Sequence, residues 1–368
     1  MQVKISVPTL LLDREKCQRN IGRMVEKARN LGLAFRPHFK THQSSGIGRW
    51  FREAGVDKIT VSSLRQAEYF ANDHWLDITV AFPVNLLEVG LINRLAAYVQ
   101  LNLLVESLES VQFLDRHLRH RVRLFVKVDV GTHRTGIDVD DHERLERLVG
   151  RIAESRFGEF AGFLAHAGHT YREKGEAGVL AVQNGYLPRL SALKEKFCAP
   201  FPGAIISIGD TPACSMLEAF PGADEIRPGN FVFYDVMQVN IGSCSVEDVA
   251  VAMACPVVAV HPDREEIVIY GGGVHFSKDR LARADGAGDY GWMVEWTGSG
   301  WQIPQGPAPY LCALSQEHGI VKASGPWIDA VKPGDILGFL PVHSCMTADL
   351  MKSYRTLDGE YLEMMRYV

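Results

Sequence analysis

Eight times between about residue 10 and residue 245 a short apolar run follows a stretch with helical periodicity. The runs are LAFRPHFK, DKITVSS, DITVAFPV, VQLNLLV, RLFVKVDVG, FAGFLAHAG, AIISIGD and EIRPG, half of them ending in Gly or Ser. Between most of them lie patterns such as DREKCQRNIGRMVEKARN, LRQAEYFANDH, VESLESVQFLDRHL and DHERLERLVGRIAES, where apolar residues recur at helical spacing. Strands alternating with helices imply a parallel sheet. Eight units match the count of a (β/α)8 barrel, with a doubly wound open sheet as the competing arrangement.

The pattern changes near residue 245. VAMACPVVAVHP, EEIVIYGGG, YGWMVEWTG and DILGFLPVHS are β-rich runs separated by Gly, Pro and Asp turns. The expected organisation is a barrel over residues 10–245 and an all-β domain over residues 246–368. No repeat at a fixed period and no low-complexity tract interrupts the chain.

Composition narrows the function. With 46% hydrophobic and 23% charged residues, the 368-residue chain has the make-up of a packed globular protein. A net charge of −5 and a pI near 6.2 argue against a nucleic-acid binder. The N-terminus lacks a basic segment followed by a long apolar one, and no apolar run reaches the length of a membrane span. Seven scattered cysteines without a CxxC pair fit reduced thiols, so a cytoplasmic location is expected.

In a (β/α)8 barrel, active sites form at the C-terminal ends of the strands. The residues found there are His38, Lys40 and His42; Asp129, Gly131, Arg134 and Gly136; His166, His169 and Tyr171; Gly209, Asp210 and Thr211; and Arg227, Gly229, Tyr234 and Asp235. Each has a plain alternative, since strand ends are polar where they meet solvent and glycines serve turns. The chemistry of Lys40 is more specific. A lysine in a desolvated pocket has a lowered pKa and forms a Schiff base with an aldehyde. The GDTP turn at residues 209–212 offers backbone N–H groups to an anion such as phosphate. A lysine facing a phosphate cradle is what an enzyme holding pyridoxal phosphate requires. The P-loop pattern GxxxxGK[ST] is absent from the sequence, so nucleotide readings lose ground.

Near the C-terminus, LPVHSCMTADL places His343 and Cys345 two apart, on the same side of an extended strand. An imidazole and a thiolate suit zinc or a softer divalent ion. Two ligands are too few for a closed structural site, so water or substrate would complete the shell; a buried cysteine beside a hydrogen-bonded histidine is the plain alternative.

From VPTLLLD through RPHFKTH, DVGTHRTG, HAGHTY, GDTP and RPGNFVFYD to HSC, the chain resembles the D-threonine aldolase and D-serine dehydratase family. RPHFKTH together with HSC carries most of the specificity. The resemblance implies an alanine-racemase-like barrel with a C-terminal β-domain, in which residues 1–9 also pair. It implies that Lys40 holds the cofactor as a Schiff base and that Arg134 lies near the cofactor's phenolic oxygen and the substrate carboxylate. It places Gly209, Asp210 and Thr211 at the phosphate, with Tyr234 contacting it, and sets His169 and Tyr171 beside the cofactor, Tyr171 near its pyridine nitrogen. His343 and Cys345 match the ligands of a divalent metal, zinc or else manganese or magnesium. A homodimer is implied as well. His275, in YGGGVHFSKD, stands where compared relatives vary and has no assigned role.

The expected activity is that of a lyase on D-3-hydroxy amino acids. Lys40 would take the Cα proton while the metal binds the β-hydroxyl, giving a keto acid and ammonia; aldol cleavage to glycine and an aldehyde is the close competitor. Rival readings are an amino-acid racemase on the same fold, a non-catalytic pyridoxal-phosphate carrier, and a barrel enzyme without cofactor. The tyrosine that alanine racemases use as a second acid–base group has no placed counterpart, which counts against racemisation. The extra β-domain counts against a carrier.

Overall fold

The computed structural model describes residues 4–197, 199–297, 299–306 and 308–366. Contacts divide the chain into two compact units. One comprises Gly22–Lys40 and Gly48–Gly229; the other comprises the chain up to Ile21, Thr41–Ile47 and everything from Asn230 onward. The border expected from composition stood at 245; the contacts divide at Gly229.

In chain order the first strands are β1 (Thr9–Leu12), β2 (Ala34–Phe35), β3 (Ile59–Val61), β4 (Asp77–Pro83) and β5 (Gln100–Val105). They are followed by β6 (Val122–Asp129), β7 (Ile137–Asp138), β8 (Gly158–Ala165), β9 (Ile205–Ile208) and β10 (Glu225–Ile226). Eight of them lie side by side in the order β2-β10-β9-β8-β6-β5-β4-β3, all pairs parallel, with β7 added beside β6. The ring closes beyond β2, where Phe39 N–H donates to Thr60 O at 2.8 Å and Thr60 N–H to Pro37 O at 2.9 Å. This is the (β/α)8 barrel the alternation predicts. Its central strands are near-continuous apolar runs because both faces are covered: in β5, every residue after Gln100 is buried.

The intervening helices follow the sequence patterns closely. In Arg14–Asn30 the buried apolar residues are Cys17, Ile21, Met24 and Ala28, one stripe at helical spacing. Ser63, Ser107 and Asp141 cap the helices that follow them, each side chain accepting a backbone N–H three residues on.

The barrel interior is part apolar and part ionic. Leu104, Phe125, Ala161 and Leu164 pack together in one layer. A polar chain, buried except at the half-buried Asp77, links several strands. Arg36 reaches Asp77 at 2.6 Å and Glu225 at 2.7 Å, Ser207 Oγ donates to Glu225 at 2.6 Å, and Arg227 Nε donates to Ser207 Oγ at 2.7 Å.

The second unit is β-rich. It contains β1 together with β11 (Val251–His261), β12 (Glu266–Tyr270), β13 (Leu281–Ala282), β14 (Gly288–Asp289), β15 (Gly291–Trp296) and β16 (Trp301–Gln302). It continues with β17 (Tyr310–Leu314), β18 (His318–Lys322), β19 (Ile336–Pro341), β20 (Ser353–Thr356) and β21 (Tyr361–Glu363). The order β12-β18-β17-β15-β19-β11 returns to β12, so six antiparallel strands close on themselves and leave no edge. β1 pairs with β11, Thr9 opposite Ala254, and on its other side with β20. Among the described residues no helix is long and apolar enough to cross a membrane, and the six described cysteines form no disulfide.

Candidate active site

Lys40 lies in the turn that follows the barrel-closing segment. The residue before it anchors that turn. Phe39 is fully buried, and its ring meets Phe51, Phe70 and Trp75 at centroid distances of 4.9, 5.0 and 5.0 Å. Burying such a ring stabilises by about 2–3 kcal/mol, which fixes the main chain carrying the lysine. His38 takes the other side: its main-chain N–H donates to Pro228 O at 2.9 Å, and its Nδ1 accepts the Lys40 N–H at 3.4 Å. Burial, and then the charge of Lys40, pull the His38 pKa well below its usual value, so the ring is neutral. His42 is buried, neutral through burial at a pKa of about 3, and accepts the Ser44 N–H at 3.1 Å, just ahead of the helix Ser45–Glu53.

Lys40 itself is exposed. A lysine in a strongly desolvating setting is Lys127, near the end of β6. It is buried, its Nζ donates to Val128 O at 2.7 Å, and burial lowers its pKa to about 8. Nothing in its apolar strand context marked it in the sequence.

DVGTHRTG forms the turn between β6 and β7. Asp129 accepts the backbone N–H groups of Gly131, Thr132 and His133 at 3.0–3.1 Å. Burial would raise this carboxyl, but those N–H groups outweigh it and hold the pKa below the usual range. Gly136 has φ +108 and lies against main chain: a Cβ there would sit 2.7 Å from Asp129 N. The turn presents Arg134 exposed to solvent. On the neighbouring strand end, Thr132 Oγ1 donates to His166 O at 3.0 Å and lies 3.5 Å from His169 Nδ1. His166 Nδ1 donates to Gly209 O at 2.6 Å.

The GDTP turn has the features of an anion cradle. A Cβ on Gly209 would meet the main chain of Arg227 at 2.7–2.9 Å, so only glycine fits. Asp210 Oδ1 accepts the Ala213 N–H and the Thr170 hydroxyl, both at 2.8 Å; burial nevertheless raises its pKa to about 6. Thr211 Oγ1 is buried and makes no hydrogen bond among the described residues. The Thr211 N–H points at the Tyr171 hydroxyl, 3.3 Å away. Tyr171, which the resemblance set at the pyridine nitrogen, thus reaches the phosphate turn with its hydroxyl. An orphaned buried hydroxyl and a side-chain-free backbone at Gly209 fit a phosphate group.

In the other unit, Tyr234 is buried with φ +49, a left-handed conformation unusual for a large side chain, and its N–H donates to Asn230 O at 2.8 Å. His343 and Cys345 stand at the end of β19. The extended geometry expected for HSC is replaced by a helix start: His343 is the N-cap and Cys345 lies in the first turn of Ser344–Met351. The cause is Asp235, whose buried carboxylate accepts both the N–H of Ser344, at 3.0 Å, and its hydroxyl, at 3.2 Å. Asn230 Nδ2 donates to the same carboxylate at 2.6 Å and lies 3.5 Å from Cys345 Sγ. Thr41 Oγ1 is 3.3 Å from that sulfur. His343 Nδ1 meets Asp279 Oδ2 at 2.9 Å.

Burial opposes protonation of His343, yet its hydrogen bonds to Asp279 and Cys345 outweigh it and push the pKa up to about 11. The thiol of Cys345 is raised by burial and lowered more strongly by His343, for a net lowering. An imidazole and a thiol that favour each other's charged form are a donor pair that suits a divalent cation. Among the described residues no cluster of three or more His, Cys, Asp or Glu side chains forms a metal cage. Two protein ligands with the remaining positions open is a catalytic pattern rather than a structural one. His275, unassigned from sequence, has a local role: its Nδ1 accepts the Gly272 N–H at 3.1 Å and closes the short helix Gly273–Phe276.

The family of the alanine racemase N-terminal domain matches residues 12–236. The chain belongs to that family. A serine dehydratase domain matches residues 250–357. A D-threo-3-hydroxyaspartate dehydratase from Delftia sp. (strain HT23) is 29% identical over 97% of this chain and 95% of its own length. Its solved structure superposes with a TM-score of 0.91 over 99% of both chains at 26% identity. A D-serine dehydratase from Dictyostelium discoideum is 26% identical over 97% of this chain and 94% of its own. Two variant structures of a D-threo-3-hydroxyaspartate dehydratase match equally well. One replaces a histidine and the other, in a metal-free form, a cysteine two positions further on, the spacing of His343 and Cys345.

Proposed function

We propose that this protein is a pyridoxal-phosphate- and divalent-metal-dependent lyase acting on D-3-hydroxy amino acids, with dehydration as its reaction. The observation that carries the reading is the hydrogen-bonded His343–Cys345 pair, held by Asp235, Asn230 and Thr41 in a chain whose barrel supplies a phosphate-type turn. Racemisation needs no such pair. Dehydration is favoured over aldol cleavage because the relatives 29% and 26% identical along nearly their whole length are named dehydratases, whereas a D-threonine aldolase structure of similar coverage is 16% identical and a 3-hydroxy-D-aspartate aldolase matches only 45% of this chain.

Gly209, Asp210 and Thr211 would hold the cofactor's phosphate, with Tyr171 and Tyr234 as further contacts and His169 beside it. When bound, pyridoxal phosphate supplies an electron sink for charge developing at substrate Cα, and the metal, zinc in our reading, supplies Lewis acidity toward the β-hydroxyl. Lys40 Nζ would hold the cofactor and, once the substrate amine has displaced it, would take the Cα proton. Arg134 binds the substrate carboxylate as a planar donor pair. Neutral His38 accepts the Lys40 main-chain N–H and orients that turn. Overall, a D-3-hydroxy amino acid yields a 2-keto acid and ammonia, water being lost at Cβ and regained on hydrolysis.

The test has two parts. D-serine, D-threonine and D-threo-3-hydroxyaspartate are each incubated with the enzyme, and ammonia is scored against aldehyde. Ammonia with keto acid is the expected result; aldehyde with glycine would replace dehydration by aldol cleavage, and turnover of D-alanine to L-alanine alone would sink the lyase reading. Borohydride reduction and peptide mapping should place the pyridoxyl group on Lys40. Label on Lys127, the buried amine of lowered pKa, would transfer the role.

A further inference from the structure

We infer that Asp279 is a positioning residue for the metal, locking His343 in the tautomer that turns Nε2 toward the cation bound with Cys345. The inference rests on the metal reading of His343 and Cys345 given above. A carboxylate only accepts, so the 2.9 Å contact between Asp279 Oδ2 and His343 Nδ1 puts the hydrogen on Nδ1. The remaining ring nitrogen is then the ligand, and the ring cannot flip without breaking that bond. A ligating histidine whose other N–H is held by a carboxylate is oriented and made a better donor.

Asp279 is itself secured. Ser277 Oγ donates to its carboxylate and accepts its main-chain N–H, both at 3.2 Å. Ser277 has φ 71 and ψ −175, a region nearly restricted to glycine. The fold holds it there from both sides: Ser277 N–H donates to Gly273 O at 3.1 Å, and Thr347 Oγ1 donates to Phe276 O at 3.0 Å. Thr347 belongs to the same helix as Cys345, so the loop carrying Asp279 is fastened to the helix carrying the second ligand.

The experiment measures zinc affinity of the cofactor-loaded protein by competition with a chromophoric chelator. Asp279→Ala should weaken zinc binding by about 10- to 100-fold, the usual effect of removing such a partner. Asp279→Asn should fall between, because its amide oxygen still accepts the Nδ1 hydrogen. Metal-free thermal unfolding and the cofactor's absorbance should stay as in the wild type, which a merely structural role would not predict. Asp279→Leu, filling the space without an acceptor, replaces the alanine variant should that one unfold. His343→Ala and Cys345→Ala run in parallel. If they abolish zinc binding and Asp279→Ala leaves it unchanged, the positioning role is wrong. If neither of them affects zinc, the metal reading itself has failed.

Discussion

Gly209→Ala tests whether the phosphate turn is held by close backbone approach. Gly209 does not sit at positive φ, so the added methyl faces a problem of space and not of conformation. Its Cβ would lie 2.7 Å from Arg227 N, 2.8 Å from C and 2.9 Å from Cα, against 3.4 Å for ordinary contact. These are main-chain atoms and they are tied down. Arg227 N–H donates to Ile208 O at 2.9 Å, and its side chain donates to Ser207 Oγ at 2.7 Å and Ala165 O at 2.6 Å. Relief therefore means prising the C-terminal ends of β9 and β10 apart. Overpacking costs about 1–3 kcal/mol, and three simultaneous main-chain clashes put this case at the upper end, about 3 kcal/mol. That corresponds to a fall in Tm of roughly 6–12 °C for a domain of this size. Urea unfolding should show the loss, and exchange of the Arg227 amide hydrogen should speed up about 100-fold if the opening is local. Gly185→Ala is the control. Nothing lies within 4 Å of a Cβ there, and the residue is inside the helix Gly175–Phe197, so alanine should stabilise by about 0.5–1 kcal/mol. If Gly209→Ala falls within about 0.5 kcal/mol of the wild type, close approach is not what holds this turn.

Two further perturbations probe electrostatics and strain at the site. Asp210 has a folded pKa of about 6, raised by burial above its ordinary 3.8. The unfolded chain releases this proton first, so the wild type should lose stability relative to Asp210→Asn as pH rises from about 4 to 6, by up to about 3 kcal/mol, and stay lower above that. The asparagine Oδ1 still accepts both bonds now made to Asp210 Oδ1, so parallel stability curves in cofactor-free protein would refute the assignment. Ser277→Gly should relieve about 1–3 kcal/mol of backbone strain while losing the hydroxyl that holds Asp279. The metal-free protein should melt higher and bind zinc several-fold more weakly; movement of both in the same direction would remove strain from the explanation.

What the sequence discloses and what it hides follow from the range over which each signal acts. The barrel was legible because alternation of apolar runs with helical stripes is local and repeats eight times: LNLLV in β5 and the Leu145, Leu148, Val149, Ile152 stripe each report on their own few residues. Lys40 drew attention because RPHFKTH packs seven chemically informative positions together, with Phe39 and His38 beside it. The HSC pair was singled out by residue type, yet its geometry was misread. Whether His343 and Cys345 sit on a strand or open a helix is decided by Asp235, 109 positions from Ser344 in sequence. The exposure of Lys40 and the burial of Lys127 were hidden for the same reason, since no spacing rule distinguishes an inward strand residue from one in the following turn. Asp279 went unnoticed because an aspartate in FSKD looks like any solvated turn residue; its meaning appears only once His343, 64 positions away, is seen to rest on it. Chemistry that depends on a residue type is thus readable along the chain. Orientation of that chemistry is set by partners the fold brings from far away, which is why the supporting carboxylates, Asp235 and Asp279, are the sharper places to test whether this site works as proposed.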